Sequence, residues 1–357
     1  MLQARQTIAD FEIVRLLGKG GMGEVYEAEQ KHPQRSVALK VLAPWLADDD
    51  DALQRFWREA NVPAQLDHPG IVRIFSMGKI DGIAYYTMHL VRGVSLTEFI
   101  REGTQALQPS TLGYSAAAQA TPSQKDAVAP SPPVEAAARP VSSGRHRPPL
   151  LKHYFRDRFG TVARIGAMAA RVLGSAHGQG FLHRDVKPSN LMIDQHDHLY
   201  LVDFGLTRAL EPGADGTRAG LVVGTPWYMS PEQAHGQPVD ARSDIYSLGI
   251  TLYELASRGV GPFTASREDS QSVLDQVREG SHLPLRSLVP DVPPLLEEVI
   301  ARCMQLDPRK RYQRAIDLAT DLEALTAEPS ALPVTALHRI RFKVLVHGAG
   351  NRDIALC

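Results

Sequence analysis

The residues from His183 to Asn190 (HRDVKPSN) constrain this chain more than any other segment, and Asp203-Phe204-Gly205 follow them closely. This order of acid, lysine, amide and acid suits phosphoryl transfer, because that reaction depends on positioned charge more than on covalent chemistry. One carboxylate can orient an attacking hydroxyl and take its proton, and a lysine can offset charge on the transferred group. An amide oxygen and a second carboxylate suit Mg²⁺. A polar loop between two hairpin strands is the alternative, but it would not require these residue types in this order.

A glycine-rich segment near the N-terminus, Gly18 to Val25 (GKGGMGEV), matches the pattern G-x-G-x-x-G-x-V. Glycines at these places let a backbone approach phosphate groups without a Cβ clash. Strand-like residues follow the glycines, whereas a dinucleotide-binding motif needs a helix there. The pattern therefore predicts a strand–turn–strand unit that binds a nucleotide, although a plain glycine-rich hairpin would look similar.

Two charged residues downstream are candidates for the phosphate side of such a site. Lys40 ends a strand-like run (VALK), from which its amine could reach phosphate oxygens as a point charge. Glu59 lies in a segment whose apolar residues have helical spacing, and it could orient Lys40. Taken singly, each residue also fits an ordinary exposed side chain.

These motifs together resemble the protein kinase superfamily. HRDVKPSN is similar to serine/threonine kinases, and LLGKGGMGEVYEA and GTPWYMSPEQ resemble the eukaryotic-like kinases of bacteria. The resemblance covers residues 11–325 apart from one insertion. It implies an α+β fold with two lobes: a small antiparallel β-sheet lobe over 11–91 that carries one helix, helix C, and a larger, mainly α-helical lobe over 92–325.

The resemblance also implies a serine/threonine protein kinase that transfers phosphate from ATP to protein substrates, with residue roles to match. Asp185 would be the catalytic base, Lys187 would neutralise phosphate charge, and Asn190 and Asp203 would hold Mg²⁺ or, in its place, Mn²⁺. Glu59 would be the glutamate of helix C. Met88 would be the gatekeeper and 89–91 the hinge, where His89 replaces the common glutamate. The ATP-binding set would be Leu17, Gly18, Gly20, Gly23, Val25, Ala38, Lys40, Met88, His89, Val91 and Met192.

A second block, GTPWYMSPEQ, resembles the end of a kinase activation segment. The resemblance implies that Thr225 helps to place the incoming hydroxyl beside Asp185. It also implies that Glu232 pairs with Arg311 as a buried structural contact. Asp244 would anchor the catalytic loop from a central helix.

Regulation is a separate hypothesis. Arg184 precedes the catalytic aspartate, and a phosphate on the activation loop offers the strong acceptors that an arginine binds. Thr217 lies in a Gly/Ala-rich stretch and is the favoured phosphorylation site. Alternatively, Arg184 pairs with a carboxylate and Thr217 is only a loop residue. Self-association is one route to autophosphorylation.

Composition and charge bear on whether the chain binds nucleic acid or membranes and on its cellular compartment. The chain has 357 residues, 43% of them apolar, and its formal net charge is −1, so no bulk attraction to nucleic acid or to an anionic membrane is expected. Two cysteines, Cys303 and Cys357, provide no disulfide framework, which fits the cytoplasm. No apolar run reaches the length of a transmembrane helix, so no membrane span is expected.

Periodicity and composition divide the chain further. Residues 103–150 are rich in Ala, Pro and Ser and predict a disordered insertion. The tail over 327–357, of unknown role, contains one strand-like run over 340–346. Apolar spacing predicts helices over 51–66, 159–177, 244–256, 267–279, 293–305 and 314–325.

Two other functions compete with an active protein kinase. A pseudokinase scaffold would lack an equivalent of Lys40, Asp185 or Asp203, and none of the three is missing. A small-molecule kinase of related fold would lack the long activation segment and the Ser-Pro-Glu block with its arginine partner. The chain contains both, which favours protein substrates.

Overall fold

The computed structural model describes residues 4–20, 22–80, 82–105, 148–204, 208–209 and 225–326. The N-terminal part is an antiparallel sheet in the order β1-β2-β3-β4-β6-β5, and the predicted strand-like run that ends at Lys40 falls within it. Its strands are β1 (Thr7–Ile8), β2 (Phe11–Gly20), β3 (Gly23–Gln30), β4 (Arg35–Leu42), β5 (Ile74–Ile80) and β6 (Ile83–His89).

A single long helix, α1 (Asp50–Gln65), packs on one face of this sheet. Asp49 caps the helix by accepting a hydrogen bond from the backbone nitrogen of Ala52 at 2.9 Å, which satisfies one of the unpaired donors of the first turn. Phe56 of α1 is fully buried in a cluster with Tyr86 of β6. The helix agrees with the predicted span to within one residue at each end, and its packing sets how it faces β4.

The C-terminal part is mainly helical, as predicted, and its core is one continuous cluster of apolar residues. Every residue of the central helix from Ser243 to Ala256 is buried, which explains its unusually apolar sequence. The helices are α2 (Leu96–Gln105), α3 (Pro149–Arg156), α4 (Arg158–Gly178), α5 (Pro231–Ala234), α6 (Ala241–Ala256), α7 (Ser270–Glu279), α8 (Leu285–Leu288), α9 (Pro294–Cys303) and α10 (Ala315–Ala324).

Within the described ranges, five further short strands frame the site described below. Three form an antiparallel sheet in the order β10-β9-β7, and the other two pair with each other. They are β7 (Gly93–Ser95), β8 (Phe181–Leu182), β9 (Leu191–Asp194), β10 (Leu199–Leu201) and β11 (Arg208–Ala209).

The predicted insertion differs from the structure at both ends. Helix α2 continues to Gln105, and the hydroxyl of Thr104 donates to the carbonyl oxygen of Arg258 at 2.9 Å, which ties this end to the core. Helix α3 begins at Pro149, because Leu150 and Leu151 are buried apolar residues that order it. Residues 106–147 and the tail over 327–357 lie outside the described residues, as does the predicted strand over 340–346.

The predicted start of one helix is also wrong. The span predicted from residue 267 begins at Ser270, because the carboxylate of Asp269 accepts from the backbone nitrogen of Ser272 at 3.1 Å and caps the helix there. Among the residues that the structure describes, no helix is both long and apolar enough to cross a membrane.

Candidate active site

The loop between β8 and β9 carries the HRDVKPSN motif. The buried carboxylate of Asp244 in α6 anchors this loop through its backbone. One carboxylate oxygen of Asp244 accepts from the backbone nitrogen of His183 at 2.9 Å, and the other accepts from that of Arg184 at 2.7 Å. The Nε2 atom of His177 lies 2.8 Å from the same carboxylate. Burial alone would raise the pKa of Asp244, but His177 and His183 hold this pKa below its ordinary value. The carboxylate therefore stays ionised and fixes the start of the loop.

Three side chains meet at the centre of this loop. The amine of Lys187 lies 2.8 Å from Oδ2 of Asp185 and donates to the hydroxyl of Thr225 at 2.8 Å. The Thr225 hydroxyl in turn donates to Oδ1 of Asp185 at 3.3 Å. Each oxygen of the Asp185 carboxylate thus has a neighbour that orients it. Thr225 is distant from the other two residues in the sequence, and the fold brings its hydroxyl to Asp185.

Asn190 closes the same loop beside Asp203. Its side-chain amide donates to the backbone carbonyl of Asp185 at 2.9 Å, which leaves the amide oxygen as its acceptor atom. The backbone nitrogen of Val202 donates to the carbonyl of Asn190 at 3.0 Å, so Asp203 directly follows a residue paired with Asn190. Asp203 adopts a positive φ of 64°, and Phe204 behind it is buried with its ring edge-on to His183, 4.9 Å between ring centroids.

Asn190 and Asp203 fit a magnesium ion that is bound partly by the protein and partly by substrate phosphates. Within the described ranges there is no group of three or more His, Cys, Asp or Glu side chains that could hold a metal alone. Mg²⁺ is usually bound by one or two protein oxygens together with substrate phosphates and water. One amide oxygen and one carboxylate match that requirement.

Lys40 and Glu59 face each other across β4 and α1. The amine of Lys40 donates to Oε1 of Glu59, and both side chains are largely buried. Burial would lower the pKa of Lys40, but the carboxylates of Glu59 and Asp203 outweigh it and raise this pKa. Burial raises the pKa of Glu59, an effect that Lys40 opposes. The Asp203 carboxylate acts electrostatically on both groups, so the charges of the pair and of the candidate magnesium site influence each other.

The three glycines of the N-terminal motif have different surroundings. A Cβ atom at Gly18 or Gly20 would meet no atom within 4 Å, so these positions face open space. A Cβ atom at Gly23 would lie 2.0 Å from the backbone oxygen of Val41, so this glycine is required by close packing of β3 on β4. Gly18 and Gly20 remain candidates for covering a nucleotide, whereas Gly23 also has a structural role.

The other predicted nucleotide-binding residues lie around the junction of the two parts. In the strand pairing, Val25 is opposite both Gly18 and Lys40, and Ala38 is opposite Met88. The remaining members occupy neighbouring positions: Leu17 near the end of β2, His89 at the end of β6, Val91 in the connection to β7, and Met192 in β9.

A family model described as protein tyrosine and serine/threonine kinase matches residues 11–316. This match covers most of the chain and includes every residue of the site described above. The chain is a member of the protein kinase family. The expected two-lobed kinase fold is confirmed, with the β-sheet region as the small lobe and the helical region as the large lobe.

Bacterial kinases are among the similar proteins. The chain is 33% identical over 317 residues to serine/threonine-protein kinase PknB of Mycolicibacterium smegmatis, covering 87% of this chain and 42% of PknB. It is 33% identical over 343 residues to PknD of Mycobacterium tuberculosis, covering 94% of this chain and 43% of PknD. The chain therefore spans less than half the length of these relatives.

Solved kinase domains show the same architecture. The PknI kinase domain of Mycobacterium tuberculosis has a TM-score of 0.59 and 26% sequence identity, and the match covers 92% of this chain and 100% of that domain.

Helix α5 is held to the rest of the large lobe by a buried ion pair. Arg311 donates to both carboxylate oxygens of Glu232, at 2.7 and 2.9 Å. Ser230 caps α5 together with Gln233, so Glu232 is presented from an ordered turn. The predicted pairing is observed. Thr217 lies outside the described residues.

Sequence reasoning missed several residues that support the kinase site. His177 contacts Asp244, and the side-chain amide of Gln233 donates to the backbone carbonyl of Arg184 at 2.9 Å. The hydroxyl of Ser243 donates to Glu232 at 2.5 Å. Tyr86 donates to Glu59. Gln233 ends the GTPWYMSPEQ block, which does not by itself indicate this contact, and the other three residues lie outside the sequence motifs described above. Each acts through a contact that only the folded chain creates.

Proposed function

We propose that this kinase domain transfers the γ-phosphate of ATP to serine and threonine hydroxyls of proteins, with Mg²⁺ as its metal and Mn²⁺ as a substitute. The observation that supports this proposal most directly is the contact of Asp185 with Lys187 and Thr225. The ion pair between Lys40 and Glu59 supports it further. A scaffold that only binds would not need these side chains in mutual contact. The proposed position of the reaction is therefore beside the Asp185 carboxylate.

Asp185 would accept a hydrogen bond from the substrate hydroxyl and take its proton as the oxygen attacks the γ-phosphorus. The bond between the γ-phosphorus and the bridging oxygen then breaks, and ADP leaves. Lys187, 2.8 Å from Asp185, would offset negative charge on the transferred group. Thr225 would restrict the Asp185 carboxylate to one orientation, which favours attack from a fixed direction.

The nucleotide would lie between the lobes. Lys40, held by Glu59, would bind phosphate oxygens, and Gly18 and Gly20 would let the backbone approach them. Asn190 and Asp203 would hold Mg²⁺, which supplies positive charge to the phosphates when it is bound. The adenine would contact the predicted set formed by Leu17, Val25, Ala38, Met88, His89, Val91 and Met192.

Serine and threonine are the proposed acceptors for two reasons. The relatives PknB and PknD carry the name serine/threonine-protein kinase. Lys187-Pro188 after the catalytic aspartate is also the form that resembles serine/threonine kinases. The ATP requirement and the low cysteine content fit the cytoplasm.

Regulation by autophosphorylation is a second part of this proposal. Arg184 lies one residue before Asp185 and would receive a phosphate on Thr217, with self-association as one route to that modification. Mass spectrometry after incubation with Mg-ATP tests it. A fully active preparation in which Thr217 stays unmodified would remove Thr217 from the proposal.

The deciding experiment is the transfer of radiolabelled phosphate from Mg-ATP to the protein itself and to a generic basic protein. Asp185→Asn should lower transfer at least about 100-fold while it retains the fold and nucleotide binding. Asp291→Asn changes an exposed carboxylate that pairs with Arg158 rather than with a residue of the loop, so it is the matched control and should leave transfer unchanged. A folded wild type that binds ATP but transfers no phosphate would favour the scaffold function instead.

A further inference from the structure

Tyr86 of β6 stands directly opposite Lys40 in the pairing of β4 with β6, and its side chain is buried. Its hydroxyl donates to Oε1 of Glu59, the same oxygen that accepts from the amine of Lys40. The ring of Tyr86 also packs on Phe56 of α1, with 5.1 Å between ring centroids. One side chain therefore contacts the helix, its glutamate and the surroundings of the lysine.

We propose that Tyr86 is a positioning residue for phosphoryl transfer: its hydroxyl holds the Glu59 carboxylate in the orientation that places Lys40. This inference rests on the proposed function, because it assigns Tyr86 a role in the same site. Tyr86 does not touch the reacting atoms. It acts through Glu59.

The burial of Glu59 explains why a second donor is needed. Its other oxygen, Oε2, is buried and has no hydrogen-bond partner among the described residues. A buried carboxylate that lacks donors loses much of its hydration without compensation. Burial raises the pKa of Glu59, whereas the bonds from Lys40 and Tyr86 favour the ionised form. Tyr86 therefore supplies one of the two hydrogen bonds that favour the charged form of Glu59 opposite Lys40.

The same surroundings keep the tyrosine in its donor form. Burial and the nearby Glu59 carboxylate raise the pKa of Tyr86 well above its ordinary value. The phenol consequently keeps its proton near neutral pH and can donate to Glu59. The amine of Lys40 lies 5.9 Å from the centre of the Tyr86 ring, so the ring also confines the lysine.

Tyr86→Phe tests the hydroxyl, because it removes one oxygen and retains the ring that packs on Phe56. We expect kcat/KM for ATP to fall about 10- to 100-fold, the range for a hydrogen bond to a charged group. Tyr85→Phe is the matched control on the same strand. Tyr85 contacts Phe11 on the opposite face of the sheet, so this change should leave kcat/KM within about twofold.

A double-mutant cycle separates positioning from general stability. If Tyr86 acts through Glu59, then Tyr86→Phe should change kcat/KM by less than about twofold in a Glu59→Ala background. An equal loss in both backgrounds, or no loss in the wild-type background, would overturn the proposal.

A readout that needs no turnover distinguishes failure of this inference from failure of the proposed function. Lys40 would be labelled by an amine-reactive adenosine analogue, and the modified peptide would be quantified by mass spectrometry. Weakening the pair with Glu59 lowers the pKa of Lys40 and exposes more neutral amine, so labelling in Tyr86→Phe should accelerate at least about threefold. Unchanged labelling refutes the role of Tyr86 whether or not the wild type transfers phosphate.

Discussion

Glu232 and Arg311 form a two-point ion pair inside the large lobe although 79 positions separate them in the chain. The Arg311 side chain is fully buried, and its remaining donors bind the backbone carbonyls of Arg242, Gln305 and Leu306. A buried pair is stable only when its other hydrogen-bonding groups are also satisfied, and this one meets that condition. The pair ties the segment after Thr225 to the base of the lobe.

Arg311→Met should destabilise the protein by about 3–5 kcal/mol, because it leaves the buried Glu232 carboxylate without its partner. Urea unfolding at pH 7 measures the change. Arg309→Met is the matched control, since the Arg309 side chain is 85% exposed and pairs at the surface with Asp307. Its effect should stay below about 0.5 kcal/mol. Equal effects of the two variants would contradict a structural role for the buried pair.

The same pair predicts a dependence of stability on pH. Burial would raise the pKa of Glu232, but Arg311 and Ser243 lower it below its ordinary value of 4.5. A carboxylate with a lowered pKa in the folded state stabilises the protein above its unfolded pKa, and this contribution is lost as pH falls through the folded pKa. The difference in unfolding free energy between wild type and Glu232→Gln should therefore shrink below about pH 4.5. A constant difference between pH 7 and pH 3.5 would show that Glu232 does not titrate as expected.

Asp244→Asn should impair both stability and catalysis. The amide has one acceptor oxygen, so it can replace only one of the two contacts to the backbone nitrogens of His183 and Arg184. We expect a loss of about 2–4 kcal/mol in unfolding free energy. We also expect kcat to fall at least about 10-fold, because the loop that carries Asp185 loses its anchor. Unchanged kcat in a destabilised variant would limit Asp244 to a role in folding.

Thr225 offers a test of hydroxyl positioning. Thr225→Val removes the oxygen that contacts Lys187 and Asp185, and kcat should fall about 10- to 100-fold, as expected for a lost hydrogen bond to a charged group. Thr225→Ser retains the hydroxyl and should stay within about threefold of wild type. Steady-state kinetics with a protein substrate measure both. Similar losses in the two variants would indicate that the methyl group matters rather than the hydroxyl.

Replacing residues 107–146 with a short Gly/Ser linker should leave phosphoryl transfer within about threefold of wild type, because the free energy of closing a chain segment changes little with its length. The linker retains Thr104 and the start of α3. A longer deletion that also removes Leu150 and Leu151 should destabilise the protein by several kcal/mol, at about 2–5 kcal/mol for each buried leucine. A folded but inactive short deletion would give the segment a direct role in the reaction.

The amino-acid sequence by itself determined the family and much of the site. Local motifs identified Asp185, Asn190 and Asp203, because phosphoryl transfer needs these residue types in a short, ordered segment. Apolar spacing predicted the helix α6, and its burial agrees with the rule that a helix apolar on all sides is surrounded by protein. The kinase resemblance assigned Glu59 as the glutamate of helix C, which contacts Lys40, and Arg311 as the partner of Glu232. Each lies far along the chain from the residue that it contacts.

Only the tertiary structure decided which ordinary residues support those motifs. Tyr86 reaches Glu59 because the register of β4 with β6 places it opposite Lys40, and no local pattern encodes that register. His177 acquires its role because α4 and α6 pack side by side, which brings it to Asp244. The ends of α2 and α3 extended into the predicted insertion because Thr104 and Leu150 find contacts in the core. Such roles depend on long-range packing, whereas motifs and periodicity report only on chemistry and local geometry.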